Sequence, residues 1–160
     1  MSRPERAAAA ATASVPMRPF ASSLPMALLR AREAVMRRFR PALRAHRVTE
    51  QQWRVLRALS RREPLELAAL AAHTCLLPPS LSRILPDLEA RGLVARQVVA
   101  SDLRRSSVTL TAQGVRLIAE HAPHSEEIYR EIERRFGVER LRELLRLLGE
   151  LERAAQEVDS

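Results

Sequence analysis

Three clusters in this 160-residue chain carry side chains whose types and spacing suit chemistry. The first is Pro79-Ser80-Leu81-Ser82-Arg83. Ser80 and Ser82 can donate to phosphates or base edges, and the Arg83 guanidinium can fork onto guanine. The second is Asp102-Leu103-Arg104-Arg105. Its paired guanidiniums can enter a narrowed minor groove or neutralise a phosphate. Nucleic acid would repel the Asp102 carboxylate, so its expected role is to pair with one of those arginines and fix a turn. The third is Arg32, which falls between Leu28 and Met36 at i, i+4, i+8 and so on an apolar helix face. A buried guanidinium needs a carboxylate, supplied either by the protein or by a ligand. Each cluster also has an ordinary reading: a solvated polar face, an exposed turn, and an arginine paired with a glutamate.

Bulk composition favours a polyanionic partner. Lys and Arg number 27 against 19 Asp and Glu, a net charge of +8. The isoelectric point is near 11.4. Arginine carries the positive charge, which suits forked contacts to phosphate, although a GC-rich coding sequence would leave the same bias. The single Cys75 excludes an intrachain disulfide framework. Its expected role is a small buried apolar side chain in a turn, the alternative being a thiol switch. No apolar run reaches the roughly 18 residues of a membrane span. The alanine run and prolines of residues 1–22 read as a flexible arm and not a signal peptide, which predicts a cytoplasmic protein. Glu120, His121 and His124 could seed a metal site, but Pro123 interrupts them and no further ligand is evident. A solvated helix face, with no metal and no enzyme activity, is the expectation.

The elements that position these residues follow from apolar periodicity. Only 3% of residues are aromatic and there are only 4 Gly, so a leucine- and alanine-built, mainly helical chain is expected. Leu28, Val35, Met36, Phe39 and Leu43 mark a first helix from Ser23, with a kink or break at Arg40-Pro41. Thr49-Glu50-Gln51-Gln52 is a capping box that opens a second helix through Val55, Leu56 and Leu59. Leu67, Leu70 and Ala71 mark a third. Pro78 and Pro79 open a fourth, whose apolar residues Leu81, Ile84, Leu85 and Leu88 recur at i, i+3, i+4, i+7 before Gly92 ends it. The third and fourth helices make a helix-turn-helix that runs into a strand over Leu93 to Val98. A second strand is expected at Ser107 to Leu110, with Val99 to Ser106 as a projecting wing tip. Thr111 caps a helix that runs to Gly137 with a kink at Pro123. A last helix repeats Leu141, Leu144, Leu145, Leu148 and Leu151. So much leucine on one face calls for the first helix or a second subunit, and a homodimer is expected.

This order of elements, with Asp102-Leu103-Arg104-Arg105 in the wing, resembles the MarR family of regulators over residues 23 to about 152. Ser23-Leu24-Pro25-Met26, Phe39-Arg40-Pro41, Thr49-Glu50-Gln51-Gln52-Trp53-Arg54 and Pro79-Ser80-Leu81-Ser82-Arg83-Ile84-Leu85 are similar to the subgroup that controls homoprotocatechuate degradation, itself close to regulators that sense 6-hydroxynicotinate. The resemblance implies an intertwined homodimer that represses by binding palindromic double-stranded DNA. Residues 49–111 would form the winged lobe, and 23–48 with 112–156 the dimerisation region. It also implies a pocket for a small aromatic acid near Ser23, Arg32, Met36, His46 and Trp53. Trp53 would stack on the ring, and His46 would bond a hydroxyl or nitrogen. The bland counterparts are a helix cap for Ser23, core for Met36, loop surface for His46 and packing for Trp53. Two departures stand out. Leu77 replaces the usual Ser or Thr cap, and Pro86 sits inside the recognition helix, where a bend is expected. Redox sensing through Cys75 and sequence-independent DNA binding are the alternatives.

Overall fold

A computed structural model of the chain describes residues 17–61, 63–99 and 102–157, with backbone only at 98, 99 and 102–105. The expected arm over residues 1–22 lies outside the described residues up to position 16. The chain divides into two compact units, Met1–Arg37 and Arg38–Ser160.

In the first unit a short 3-10 turn, Phe20–Ser22, leads into the first half of α1 (Leu24–Ala45). Ser23 Oγ donates back to the Phe20 carbonyl (2.9 Å), and Arg30 Nη2 donates to the Ala21 carbonyl (2.6 Å). Arg32 is exposed and pairs with its neighbour Glu33 at 2.7 Å. The expected burial of this guanidinium within an apolar face is therefore corrected. Leu28 and Leu24 on that helix are 40% and 50% exposed, so the face offers no low-dielectric surroundings within this unit.

The second unit takes the rest of α1, then α2 (Glu50–Leu59), β1 (Leu65–Glu66), α3 (Leu67–Thr74), α4 (Pro78–Ala90), β2 (Val94–Val99), β3 (Asp102–Leu110), α5 (Ala112–Phe136) and α6 (Val138–Glu157). Its core gathers Val55, Leu56 and Leu59 of α2 with Leu70 of α3, Leu81, Leu85 and Leu88 of α4, and Val108 of β3. Burying each leucine contributes about 1.5–3 kcal/mol.

The capping box forms as expected: Thr49 Oγ1 accepts from Gln52 N (3.1 Å), and Gln52 Oε1 accepts from Thr49 N (2.9 Å). Gly92, at φ +66°, closes α4. Its N–H reaches the Glu89 carbonyl while the Leu93 N–H reaches that of Leu88, the paired bonds of a Schellman ending.

Neither Pro41, Pro86 nor Pro123 ends its helix; α1, α4 and α5 each run through theirs. Pro86 and Pro41 are exposed. The carbonyl each leaves unbonded can therefore turn to water, and of the two alternatives expected at Arg40-Pro41 the break does not occur. The uncapped Leu77 has a similar explanation. Pro78 and Pro79 have no N–H, so two of the donors that a cap would serve are missing already.

Two further corrections concern the sheet. β1 was not legible in the sequence; it pairs antiparallel with β3, giving the order β1-β3-β2. β3 begins at Asp102 and not at Ser107, with an irregularity in its pairing between Val98 and Val99. Asp102, Arg104 and Arg105 thus occupy a strand and not a loop, and their side chains lie outside the described residues.

The start of α5 seats against the sheet through Gly114. A Cβ there would stand 2.1 Å from the Leu93 carbonyl oxygen and 2.9 Å from Leu110 Cδ2. Backbone cannot yield as a flexible side chain can. Gly114→Ala is therefore expected to cost at least the 1–3 kcal/mol typical of overpacking, read as a lower urea midpoint. Gly149→Ala in α6, whose nearest neighbour would be the Arg153 side chain at 3.8 Å, is the control and should be neutral or stabilising.

Candidate nucleic-acid interface and buried histidine cluster

Because Leu81, Ile84, Leu85 and Leu88 are all buried, the opposite side of α4 is forced outward. Pro79, Ser82 and Arg83 are exposed and Ser80 is half-buried. Ser82 Oγ donates to the Pro78 carbonyl at 3.1 Å, a bond it can exchange. Among the described residues Arg83 makes no ion pair or hydrogen bond, so its guanidinium is available to an anion. The helix is held by polar links in its last turn. Arg96 of β2 lies 3.5 Å from Glu89, and Asp87 accepts from Gln52 Nε2 of α2 at 2.7 Å. Arg54 Nη1 donates to the Thr74 carbonyl at the end of α3 (2.8 Å), which ties α2 to the turn as well.

Cys75 is exposed in that turn, contrary to the expected burial. It adopts the left-handed conformation (φ 50°, ψ 39°) that ends α3, and Thr74 takes the interior place with its hydroxyl on the Leu70 carbonyl at 2.6 Å.

The second feature was misread in the sequence. His121, expected on a solvated face, is 1% exposed. Its ring lies 4.3 Å from that of Trp53, 5.6 Å from His46 and 6.2 Å from His124. Neither of its ring nitrogens has a hydrogen-bond partner. His46 and Trp53 are therefore brought together, and the residue that joins them was missed. Its signal was the spacing Gly114, His121, Ile128 at i, i+7, i+14, which is the buried stripe of α5, although a lone histidine on such a stripe is hard to distinguish from a polar one. Ser23, Arg32 and Met36 belong to the first unit, where Met36 is half-buried.

His124 also lines an open cleft of about 610 Å³ whose other walls are Arg38, Glu127, Ile128, Arg130, Glu131 and Arg134. Glu131 is already engaged by Arg134 and Arg135, leaving Arg38 and Arg130 free of ion pairs among the described residues. Phe39 and Tyr129 meet edge-on nearby, with ring centroids 5.5 Å apart. The combination of unpaired cations, nearby aromatic edges and the exposed His124 imidazole suits a small organic acid. Among the described residues no group of three or more His, Cys, Asp or Glu could hold a metal ion. None of their helices is long and apolar enough to cross a membrane.

Burial pushes the His121 pKa below its ordinary 6.5, and the neighbouring His46, His124 and Arg57 push it the same way. The folded state thus holds fewer protons on this ring than the unfolded chain. Its contribution to stability is complete above 6.5 and is lost as pH falls below that value. Between about pH 7.5 and 5 the urea midpoint should drop, and should drop less in His121→Phe. Equal slopes for the two proteins would show that another group carries the acid sensitivity.

The sequence model of the MarR family matches residues 48–106. The chain is 42% identical over 128 residues to the homoprotocatechuate degradative operon repressor of Escherichia coli, covering 80% of this chain and 86% of that protein. It is 39% identical over 139 residues to the HTH-type transcriptional regulator FarR of Neisseria gonorrhoeae, covering 87% and 95%. Among solved structures, the crystal structure of NadR in complex with 4-hydroxyphenylacetate superposes with a TM-score of 0.75 at 40% identity, covering 85% of this chain and 96% of that one.

Proposed function

Given that this chain belongs to the MarR family, whose named relatives are transcriptional regulators, we propose that it is a cytoplasmic homodimeric repressor released from palindromic operator DNA by a small hydroxylated aromatic carboxylate. The observation that carries the DNA-binding half is the outward face of α4, where Pro79, Ser80, Ser82 and Arg83 stand on a buried leucine stripe. Inserted in a major groove, this face reads base edges with Arg83 and touches phosphate with the serines. Arg104 and Arg105 then follow the adjacent backbone or minor groove, with Asp102 steadying the hairpin.

Dimerisation is supported by α6, none of whose described residues is buried in the single chain. Leu145 is 61% exposed, and Phe136, Val138, Leu144 and Leu147 are 40–48% exposed. A free monomer would not keep so much contiguous apolar surface in water. Two winged lobes held this way can address successive major grooves, about 34 Å apart.

Effector control is supported by the orphaned His121 beside Trp53 and by the cation-lined cleft that His124 borders. A ring stacked on Trp53 would satisfy the buried imidazole through its hydroxyl, with its carboxylate toward the arginines. His46, from the loop before α2, adds a second imidazole to the proposed pocket. Ligand then favours a lobe spacing that no longer fits DNA, and affinity falls by linkage.

The test is a titration of the purified protein onto the DNA upstream of its own coding sequence. Homoprotocatechuate, 4-hydroxyphenylacetate or 6-hydroxynicotinate is added in separate arms. One of the three should weaken binding at least about tenfold, a coupling within the usual allosteric range. Arg83→Ala should cost about 1–3 kcal/mol of operator affinity and relax specificity. A protein that binds every duplex alike, with salt as the only modulator, would refute the operator reading.

A further inference from the structure

Three consecutive residues at the start of α2 reach in three directions. Gln52 Nε2 donates to Asp87 Oδ2 on α4 at 2.7 Å. Trp53 lies against the buried His121 ring of α5 at 4.3 Å. Arg54 donates to the Thr74 carbonyl where α3 ends, at 2.8 Å. The same turn is fixed in itself, since Gln52 Oε1 closes the capping box on Thr49 N at 2.9 Å. Its preceding loop is tied to α4 a second time: Arg91 donates through Nη2 to the His46 carbonyl (3.4 Å) and through Nη1 to Asp87 (3.5 Å). Glu50, one residue into α2, pairs with Arg40 of α1.

We propose that this opening turn of α2 is the lever that couples the histidine cluster to the DNA-facing helix, and that the Gln52–Asp87 hydrogen bond is its coupling contact. The physical reason is rigidity. Gln52 spends one end of its amide on the helix cap and the other on α4, so it cannot follow α4 without moving the turn that carries Trp53. A rotation of Trp53 is likewise delivered to Asp87. The inference rests on the reading of α4 as the DNA helix, and coupling of this kind is reciprocal. DNA bound at α4 must therefore be felt at Trp53, with no effector present.

Trp53 is the only tryptophan in the chain, so its emission reports that turn alone. The full-length protein is titrated with the duplex from upstream of its own coding sequence, binding is followed by anisotropy of the labelled DNA, and Trp53 emission is recorded at saturation. Gln52→Glu keeps the acceptor that caps Thr49 N but sets a carboxylate against Asp87. Asp87→Asn keeps an acceptor for Gln52. In the double variant Gln52→Glu/Asp87→Asn the bond re-forms with its direction reversed.

The expected result is an emission shift on DNA binding in the wild type and in Asp87→Asn, loss of most of that shift in Gln52→Glu, and its return in the double variant. A shift that persists in Gln52→Glu with DNA bound overturns the proposal, and so does a wild type that binds DNA without any shift. Failure of the wild type to bind the duplex would instead remove the reading of α4, an outcome the anisotropy reports separately.

Discussion

The structure depends on the burial of four apolar residues along one face of α4. Leu81, Leu85 and Leu88 are at most 2% exposed and Ile84 is 8% exposed. With that stripe pinned to α2, α3 and the sheet, the helix has no rotational freedom. What its other face presents is decided by sequence alone. Arg83 points out because Ile84 and Leu81 point in. The same constraint explains how a helix with two prolines at its start and a third in its interior persists. About 3 kcal/mol of intrinsic penalty for an interior proline is outweighed by several buried leucine side chains at about 1.5–3 kcal/mol each. Pro86 also sits on the side where its orphaned carbonyl partner meets water.

Against this apolar frame the polar exceptions stand out. A buried imidazole with two unbonded nitrogens and a buried Arg54 Nε without a partner each carry a desolvation cost of about 1–3 kcal/mol. Both flank the opening turn of α2, Trp53 touching His121 and Arg54 reaching α3. A fold that tolerates unsatisfied groups at one place keeps there a capacity to bind or to rearrange, whereas the leucine core has none. The polar links of this turn are few and directional, so a change at one is transmitted; the leucine contacts beneath are many and non-directional, so they hold position.

Much of this was legible in the sequence because it rests on local rules. The Thr49–Gln52 box, the Gly92 ending, the α4 stripe and the Thr111 cap are each set by residues within a turn of one another. What was not legible depends on distant partners. The strand at Leu65–Glu66 exists only because β3 offers it an edge. The length of β3 came out short because charged Asp102, Arg104 and Arg105 read as a loop, although a projecting hairpin accepts charge along its whole length. His121 was assigned to solvent because a lone histidine carries no sign of the Trp53 ring that covers it. Cys75 reads as interior from its place in the turn between α3 and α4, and the left-handed backbone of that position turns it outward. Arg32 was misjudged by helical periodicity, which says which residues share a face and not whether that face is covered.

Net charge was the coarsest clue, and its distribution says more than its sum. Residues 1–48 hold ten arginines against two glutamates, and residues 49–111 hold nine against six acidic side chains. Residues 112–157, which form α5 and α6, hold eight arginines against ten glutamates. On these last helices half of the arginines are also spent on near neighbours: Arg134 and Arg135 on Glu131, Arg142 on Glu139, Arg146 on Glu143 and Glu150. Such exposed pairs add little stability, but they cancel the local field that a phosphate backbone would feel. A segment at once charge-cancelled and lined with uncovered leucines is suited to protein and not to DNA. Arg83, with no carboxylate partner among the described residues, keeps its full charge on α4, and this contrast in pairing supports the proposed division between an associating surface and a reading one.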